Sequence, residues 1–507
     1  MSPTHPHIVL STLNARYIHS AFGLRYLKAN LGDLADSTQI IEFTIHERPI
    51  DIVEKLLVDS PIIIGLGVYV WNIEEITHVA ALIKTISPET VLVLGGPEVS
   101  FEHEQQAICN HADYIICGNG EQAFAELSQE IINGSRPTEK IIRTTPAKLE
   151  ELLLPYKHYS DEDIAHRIIY VEASRGCPFK CEFCLSALDK TAWPFDIDLF
   201  LNEMDGLYKR GARHFKFVDR TFNMKIDNSI RIMEFFLKRL NDELFLHFEI
   251  IPDHLPDKLK ETISRFPAGN LQFEVGVQSF NEKTQTLISR KQDNKKTEEN
   301  LRWIRQQTQA HIHADLIIGL PGEDMHSFGA GFDRLVELNP HEIQVGILKR
   351  LRGSPIIRHT NEFDMRYNPL PPYNILSNNL IDFKTMQQLN RFARYWDMIA
   401  NSGRFPNTLP ILLESAPFNN FLKLSHWLFE ATGQTHKINL KRLFALVYNG
   451  AIQTLDTDTT KLKTALNSDY LSSGLKGILD INDSSQTVQN RTKNTTASAR
   501  QQRHKTS

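Results

Sequence analysis

Short apolar runs recur through the first 360 residues, and this rhythm constrains the fold more than any other feature. Up to residue 130 the runs are HIVLST, TQIIEFTI, PIIIGLGVYV, TVLVLGG and ADYIICGNG, each separated from the next by an amphipathic stretch. Continuous Val, Ile and Leu runs are typical of strands buried on both faces of a sheet, and the intervening helices give right-handed crossovers. The sequence therefore predicts an α/β, doubly wound parallel sheet over residues 1–140.

The ends of these predicted strands carry glycines and polar residues. They fall at residues 12–14, 67–71, 95–98 and 118–121. Ligands of doubly wound sheets bind at the carboxyl ends of the strands, so these four loops are expected to converge on one binding edge.

A second series of runs follows a charged, proline-containing stretch at 141–165, which is predicted to be a linker. The runs are RIIYVEAS, HFKFVD, FLHFEII, NLQFEVGVQ, HIHADLIIGL and HEIQVGIL, and they predict six parallel β/α units over residues 166–360. Beyond them, residues 361–480 show the periodicity of amphipathic helices and predict a mainly helical domain. The tail at 481–507 is polar with almost no apolar residues, which predicts disorder.

Three cysteines form a C-x3-C-x2-C cluster in the run SRGCPFKCEFC. They are Cys177, Cys181 and Cys184, and no cysteine follows them. A structural zinc site normally needs four ligands, and a disulfide needs a partner and an oxidising compartment. Three thiolates on one loop can instead hold three irons of a [4Fe–4S] cluster and leave the fourth iron for another ligand. Cys109 and Cys117 are then expected to be ordinary buried thiols.

This cysteine loop resembles that of the radical S-adenosylmethionine (SAM) superfamily, including the aromatic residues at 179 and 183. The resemblance implies that the six β/α units form a partial (βα)6 barrel of the TIM type. It also implies that SAM chelates the open iron and is reductively cleaved to a 5′-deoxyadenosyl radical. An electron donor such as flavodoxin or ferredoxin is then an expected partner.

The resemblance extends to SAM-binding segments along the barrel. The segment KFVDRTFN stands where the family often has Gly-Gly-Glu, a departure that leaves an Asp219–Arg220 ion pair as the alternative. FEVGVQS and DLIIGLPGE resemble later signatures, although GLPGE alone would be only a turn. Candidate SAM-binding residues are Phe217, Asp219, Glu274, Gln278, Asp315 and Gly319. His247, Glu249 and His313 are candidates to face the substrate, with packed histidines as the alternative.

The first domain resembles the Rossmann-like (flavodoxin-like) cobalamin-binding domain of one large radical SAM class, in a subgroup with an uncharacterised C-terminal domain. The segments that carry the resemblance are STLNARYIHS, GVYVWN, GGPEVS and GNGE. Glycines would let the nucleotide tail lie against backbone, and aromatic rings would cover the macrocycle, with plain packing as the alternative for the rings. Candidate cobalamin-binding residues are Asn14, Tyr69, Trp71, Gly95, Gly96, Gly118 and Gly120.

One cobalamin motif is missing. Other cobalamin domains present histidine to cobalt from D-x-H-x-x-G, but His19 has Tyr17 two residues before it and Phe22 three residues after it. The lower face of a bound cobalamin is therefore expected to lack a protein histidine. A degenerate domain that has lost the cofactor stays open.

The leading hypothesis is a cobalamin-dependent radical SAM enzyme that carries out methyl transfer or a radical rearrangement on an unknown substrate. A methylthiotransferase-like RNA-modifying enzyme is an alternative, but it would need three more cysteines in the first domain. A net charge of −5 also disfavours a nucleic-acid partner. A non-catalytic cobalamin or SAM sensor is the third possibility. With no leader pattern and no apolar run of about 18 residues, the expectation is a cytoplasmic protein without membrane spans.

Overall fold

The computed structural model describes residues 7–145, 148–477 and 479. The predicted disordered tail at 481–507 lies outside these residues. The chain forms two compact units, Met1–Phe383 and Lys384–Ser507. The described helices include none with both the length and the apolar character needed to cross a lipid bilayer.

The first unit begins with a six-stranded parallel sheet, as the apolar runs predict. Its strands are β1 (Ile8–Asn14), β2 (Thr38–Thr44), β3 (Ile63–Gly67), β4 (Val91–Gly95), β5 (Tyr114–Cys117) and β6 (Ile141–Arg143), in the order β2-β1-β3-β4-β5-β6. The helices are α1 (Phe22–Ala29), α2 (Pro49–Leu56), α3 (Ile73–Ile86) and α4 (Glu121–Ile132). The sixth strand lies in the segment expected to be a linker, and α5 (Asp161–His166) also lies there.

The two faces of this sheet carry separate cores, which explains the continuous apolar runs. Val9 and Leu66 pack with Ile52 of α2 on one face. Leu10 on the other face packs with Leu24 of α1 and Phe124 of α4. Every residue of β1 is buried, because helices cover the strand on both sides.

The second sheet is the predicted six-unit partial barrel. After β7 (Ile169–Val171) comes a small antiparallel pair, β8 (Ser174–Arg175) and β9 (Trp193–Pro194). The other barrel strands are β10 (His214–Phe217), β11 (Phe245–Ile250), β12 (Leu271–Gln278), β13 (His311–Ile318) and β14 (Glu342–Ile347). All pairs are parallel in the order β14-β13-β12-β11-β10-β7. The helices are α6 (Ile197–Lys209), α7 (Ile226–Leu237), α8 (Asp257–Ile263), α9 (Glu282–Leu287), α10 (Asn294–Gln307) and α11 (Met325–Glu337).

Barrel strands alternate between buried and partly exposed residues, unlike those of the first sheet. Along β12 the buried positions are Leu271, Phe273, Val275 and Val277, and the positions between them are Gln272, Glu274, Gly276 and Gln278. β13 shows the same alternation. One face therefore packs on the helices while the other carries polar groups into the barrel lumen.

After β14 the chain forms a small antiparallel pair, β15 (Arg366–Tyr367) and β16 (Ile375–Ser377). Helices follow, as the amphipathic pattern predicts: α12 (Phe383–Ile399), α13 (Leu409–Leu413), α14 (Pro417–Thr432), α15 (Leu440–Thr454) and α16 (Thr459–Ser472). Phe392, Phe421 and Trp396 form an aromatic cluster in the second unit, with ring centroids 5.0 to 6.2 Å apart.

Candidate functional site

The three clustered cysteines line a cavity of about 260 Å³ at the carboxyl ends of the barrel strands. Cys177 and Cys181 are buried, and Cys184 is partly exposed. Within the described residues, no three His, Cys, Asp or Glu side chains converge on a single metal ion. Each thiolate of a [4Fe–4S] cube bonds a different iron, so three thiols that line one cavity could hold three of its irons.

The backbone of the cysteine loop is fixed at several points. Gly176 has a φ of +91°, and a Cβ there would lie 2.7 Å from the Ala192 nitrogen, so the position requires glycine. The Cys177 amide donates to the Asp189 carbonyl at 2.8 Å. Arg290 lines the same cavity and donates to the Cys181 sulfur at 3.6 Å. Burial raises the pKa of the Cys177 and Cys181 thiols, so metal binding must displace their protons.

The predicted SAM residues fall into two groups. Glu274, Gln278 and Asp315 line the cysteine cavity together with Gly276. Phe217, Asp219 and Gly319 are not among its lining residues. The Phe217 ring lies in the core instead, with its centroid 4.4 Å from that of the Phe248 ring, and Gly319 follows β13 with a φ of +91°.

Asp219 supports the start of the cysteine loop. Its carboxylate accepts hydrogen bonds from the Ala173 amide at 3.0 Å and the Ser174 hydroxyl at 2.6 Å. Burial raises the pKa of Asp219 to about 7, despite these hydrogen bonds. Arg220, the alternative partner of Asp219, instead donates a hydrogen bond to Glu249 at 2.6 Å. A direct SAM contact of Asp219 stays a prediction.

The barrel lumen at this cavity carries paired charges. The Glu274 carboxylate is hydrogen-bonded to the His247 Nε2 at 2.9 Å. It also lies 3.4 Å from the Lys216 ammonium. Burial opposes its charge, but the His247 hydrogen bond and nearby cations hold the pKa of Glu274 to about 2. Glu274 is therefore a carboxylate at neutral pH.

His313 lies between two carboxylates in the same lumen. Its Nε2 is 3.3 Å from Asp315 and its Nδ1 is 3.1 Å from Glu342. Burial would lower its pKa, yet these two partners outweigh it and raise the pKa of His313 to about 10. His247, Glu249 and His313 therefore all carry polar contacts in the barrel, as the packed-histidine alternative also requires.

A second cavity of about 210 Å³ lies at the strand ends of the first sheet. Its lining includes the predicted cobalamin residues Tyr69, Gly95, Gly96, Gly118 and Gly120. Apolar side chains of Leu24, Leu27, Ile116 and Phe124 form other walls. We call this cavity the slot.

The glycines of the slot leave room that side chains would fill. A Cβ on Gly95 or Gly120 would meet no atom closer than 3.4 Å, so it would be in ordinary van der Waals contact and neither position needs glycine to avoid a clash. Gly96 is different, because a Cβ there would lie 2.5 Å from the Val68 carbonyl oxygen at a φ of +107°. The slot therefore fits a flat apolar group that lies against backbone.

The remaining cobalamin candidates lie outside the slot lining. Asn14 is buried and donates to the His19 carbonyl at 3.0 Å and to Glu42 at 3.1 Å. Trp71 is 46% exposed and stacks on Tyr69 with centroids 4.4 Å apart. The His19 Nδ1 lies 2.7 Å from the Tyr170 hydroxyl of β7.

Residues 350–359, which we call the tie segment, contact both the loop after β4 and the cysteine loop. Arg352 forms an ion pair at 2.9 Å with Glu98, which follows the glycines of β4. His359 lies 2.9 Å from Glu182, which sits between two of the cluster cysteines. The Ile356 amide also donates to the Glu182 carbonyl at 2.9 Å. Sequence reasoning missed these residues, although Glu182 and Glu98 stood inside the quoted motifs.

Family models match three parts of the chain. The B12 binding domain matches residues 8–128, the Radical SAM superfamily matches 171–335, and a protein of unknown function (DUF4080) matches 361–507. The chain thus carries a domain that matches the B12-binding model, followed by one that matches the Radical SAM model. The resemblance that the motifs indicate is thus confirmed, including the subgroup with an uncharacterised C-terminal domain.

Curated relatives of this radical SAM protein include methyltransferases. The chain is 27% identical over 241 residues to an uncharacterized methyltransferase of Pyrococcus horikoshii, covering 42% of this chain and 52% of the relative. It is 25% identical over 346 residues to the 2-(S-pantetheinyl)-carbapenam-3-carboxylate methyltransferase of Streptantibioticus cattleyicolor, covering 59% and 48%. The chain spans about half the length of these curated relatives.

Solved structures share the fold. The radical SAM methyltransferase TsrM from Kitasatospora setae, with cobalamin and a [4Fe-4S] cluster bound, matches with a TM-score of 0.60 at 14% identity, covering 93% of this chain and 100% of that chain. The cobalamin-dependent radical enzyme OxsB matches with a TM-score of 0.64 at 14% identity, covering 93% and 84%. The predicted fold class is confirmed.

Proposed function

We propose that this protein is a cobalamin-dependent radical SAM enzyme that transfers a methyl group to a substrate held in the barrel lumen. The observation that carries the proposal is the adjacency of the slot and the cysteine loop. Arg175 lines the slot with its side chain, and its backbone lies two residues before Cys177. Two cavities with suitable donors therefore neighbour each other in one compact unit.

Different residues of the chain would hold the cluster, cobalamin and SAM. Cys177, Cys181 and Cys184 would hold a [4Fe–4S] cluster, and the slot glycines would admit the nucleotide tail of cobalamin. Glu274, Gln278 and Asp315 would contact SAM, because they line the cavity that the cysteines share. When bound, these groups supply reductive cleavage of SAM and methyl-group transfer.

The lumen itself favours a polar substrate. Its wall offers the Lys216 ammonium, the His247 ring and the charged His313, each already oriented by a carboxylate. Preoriented polar groups bind a substrate without reorganising, which is how a barrel places a reacting bond. The proposal also requires an electron donor, such as a flavodoxin or ferredoxin of the cytoplasm.

Anaerobic reconstitution tests the proposal. The full chain is loaded with iron, sulfide and hydroxocobalamin, and 5′-deoxyadenosine is measured after addition of SAM and dithionite. We expect about four irons per chain, bound corrinoid and SAM cleavage. The Cys177→Ala/Cys181→Ala/Cys184→Ala variant should form no 5′-deoxyadenosine, while Cys109→Ala, which changes a thiol in the first sheet's core, should behave like the wild type. SAM cleavage by the triple variant would refute the proposal.

A further inference from the structure

One buried carboxylate at the slot has a hydrogen-bond partner on only one of its two oxygens among the described residues. Glu121 begins α4, directly after the glycines at 118 and 120, and its side chain is 9% exposed. Its Oε1 accepts a hydrogen bond from the Arg175 guanidinium at 2.7 Å. Its Oε2 is buried and has no hydrogen-bond partner among the residues that the structure describes.

Arg175 holds this carboxylate in place. The guanidinium also donates twice to Glu172 Oε1, at 3.1 and 2.6 Å, and lies 4.7 Å from the centre of the Tyr26 ring. With three partners and a side chain only 16% exposed, Arg175 has a fixed position. Glu121 is therefore anchored through one oxygen, and the residue that carries the other, unpartnered oxygen lines the slot.

A buried carboxylate oxygen without a hydrogen-bond donor destabilises the folded protein, because it has lost its hydration and no other donor has replaced the water. The neighbouring walls are glycines and apolar side chains, including Leu27, Ile116 and Phe124. A ligand that satisfies this wall needs a flat apolar part and a hydroxyl donor beside it. Those two features occur together in the ribose and base of a nucleotide tail.

We propose that Glu121 is a ligand-binding residue that accepts a hydrogen bond from a ribose hydroxyl of a corrinoid's nucleotide tail. The apolar walls then cover the base, and Arg175 acts as the positioning residue for Glu121. This inference rests on the proposed function, since it requires that the slot take a corrinoid. It adds a requirement for the tail itself, so a corrinoid that lacks the nucleotide must bind without help from Glu121.

Equilibrium binding tests this requirement without turnover. The full chain, its cluster reconstituted, is titrated with hydroxocobalamin and with cobinamide, which lacks the ribose and base. Glu121→Ala should weaken hydroxocobalamin binding about tenfold or more and leave the Kd of cobinamide unchanged, because a hydrogen bond to a charged group is lost. Glu121→Gln should lose about threefold, since its amide oxygen still accepts from Arg175 while its NH2 group can only donate to the ribose oxygen, in a weaker hydrogen bond without a charged partner.

The neighbouring residue provides a matched control. Gln122 is exposed on the same helix and contacts Glu126, so Gln122→Ala should bind both corrinoids like the wild type. The proposal is refuted if the Glu121 variants bind hydroxocobalamin as tightly as the wild type, or if they weaken both corrinoids equally. A wild type that binds neither corrinoid would instead refute the proposed function.

Discussion

Replacing Arg352 with methionine should destabilise the first unit strongly. The guanidinium lies 2.9 Å from Glu98, and the two side chains are only 9% and 3% exposed. Tyr373 donates to the same carboxylate oxygen at 2.6 Å, but it brings no charge. Arg352→Met therefore leaves a buried, unpaired carboxylate, which costs about 3–5 kcal/mol. For a large domain this corresponds to a fall in Tm on the order of 10 °C.

The double variant Glu98→Gln/Arg352→Met identifies the cause. Glutamine is neutral and keeps an acceptor for Tyr373, so the double variant should recover most of the lost Tm. Arg366→Met is the matched control, because Arg366 forms an exposed pair with Asp364 and exposed pairs contribute about 0–1 kcal/mol. Differential scanning calorimetry of the full chain measures all four proteins.

The pH dependence gives an independent check. Burial raises the pKa of Glu98 above its usual range, so the folded state binds a proton more readily than the unfolded state. Stability of Arg352→Met should therefore rise as the pH falls from 7 towards 5, and its deficit against the wild type should shrink. A variant within 1 °C of the wild type at pH 7, or a deficit independent of pH, would contradict the reasoning.

Three further outcomes are expected. Asp219→Ala should retain less than half of the wild-type iron after anaerobic reconstitution, because the cysteine loop loses its support at Ser174. Asp219→Asn keeps an acceptor and should retain iron, so equal iron in the two variants would contradict this reasoning. The pKa of His313 is raised to about 10, so its contribution to stability is complete below about pH 6.5 and is lost as the pH rises to 10. His313→Gln should therefore flatten the decline of Tm between pH 7 and 10, and an unchanged decline would argue against this role. Electron paramagnetic resonance of the Co(II) corrinoid complex should show no imidazole nitrogen splitting and no change in His19→Ala, and a clear nitrogen pattern would overturn this.

Local patterns in the sequence predicted much of this molecule. Strands of the first sheet are readable because helices cover both of their faces, which demands continuous apolar runs such as that of β1. The cysteine spacing and the glycines after β4 and β5 predict the two cavities for a similar reason. Each cavity depends on residues that are close together in the chain, so their spacing can be read directly from the sequence.

Contacts between distant residues could not be predicted in this way. Glu98 and Arg352 are 254 positions apart, and Glu182 and His359 are 177 apart, so no periodicity links either pair. β6 could not be predicted either, because its three residues form an edge strand within a charged stretch. The Asp219 carboxylate looked like a ligand contact because a strand-end acid can serve either a ligand or the backbone.

The tie segment also has a consequence for the order of biosynthesis. A ribosome adding about 5–20 residues per second needs roughly 10 to 50 seconds to extend the chain from Glu98 to Arg352. During that interval the first sheet can already fold, while the Glu98 carboxylate has no cation to pair with and stays hydrated. The contacts that the loops after β4 and around Cys181 make with residues 350–359 can thus form only when those residues have emerged, so both candidate sites gain their last supports late in translation and at nearly the same time.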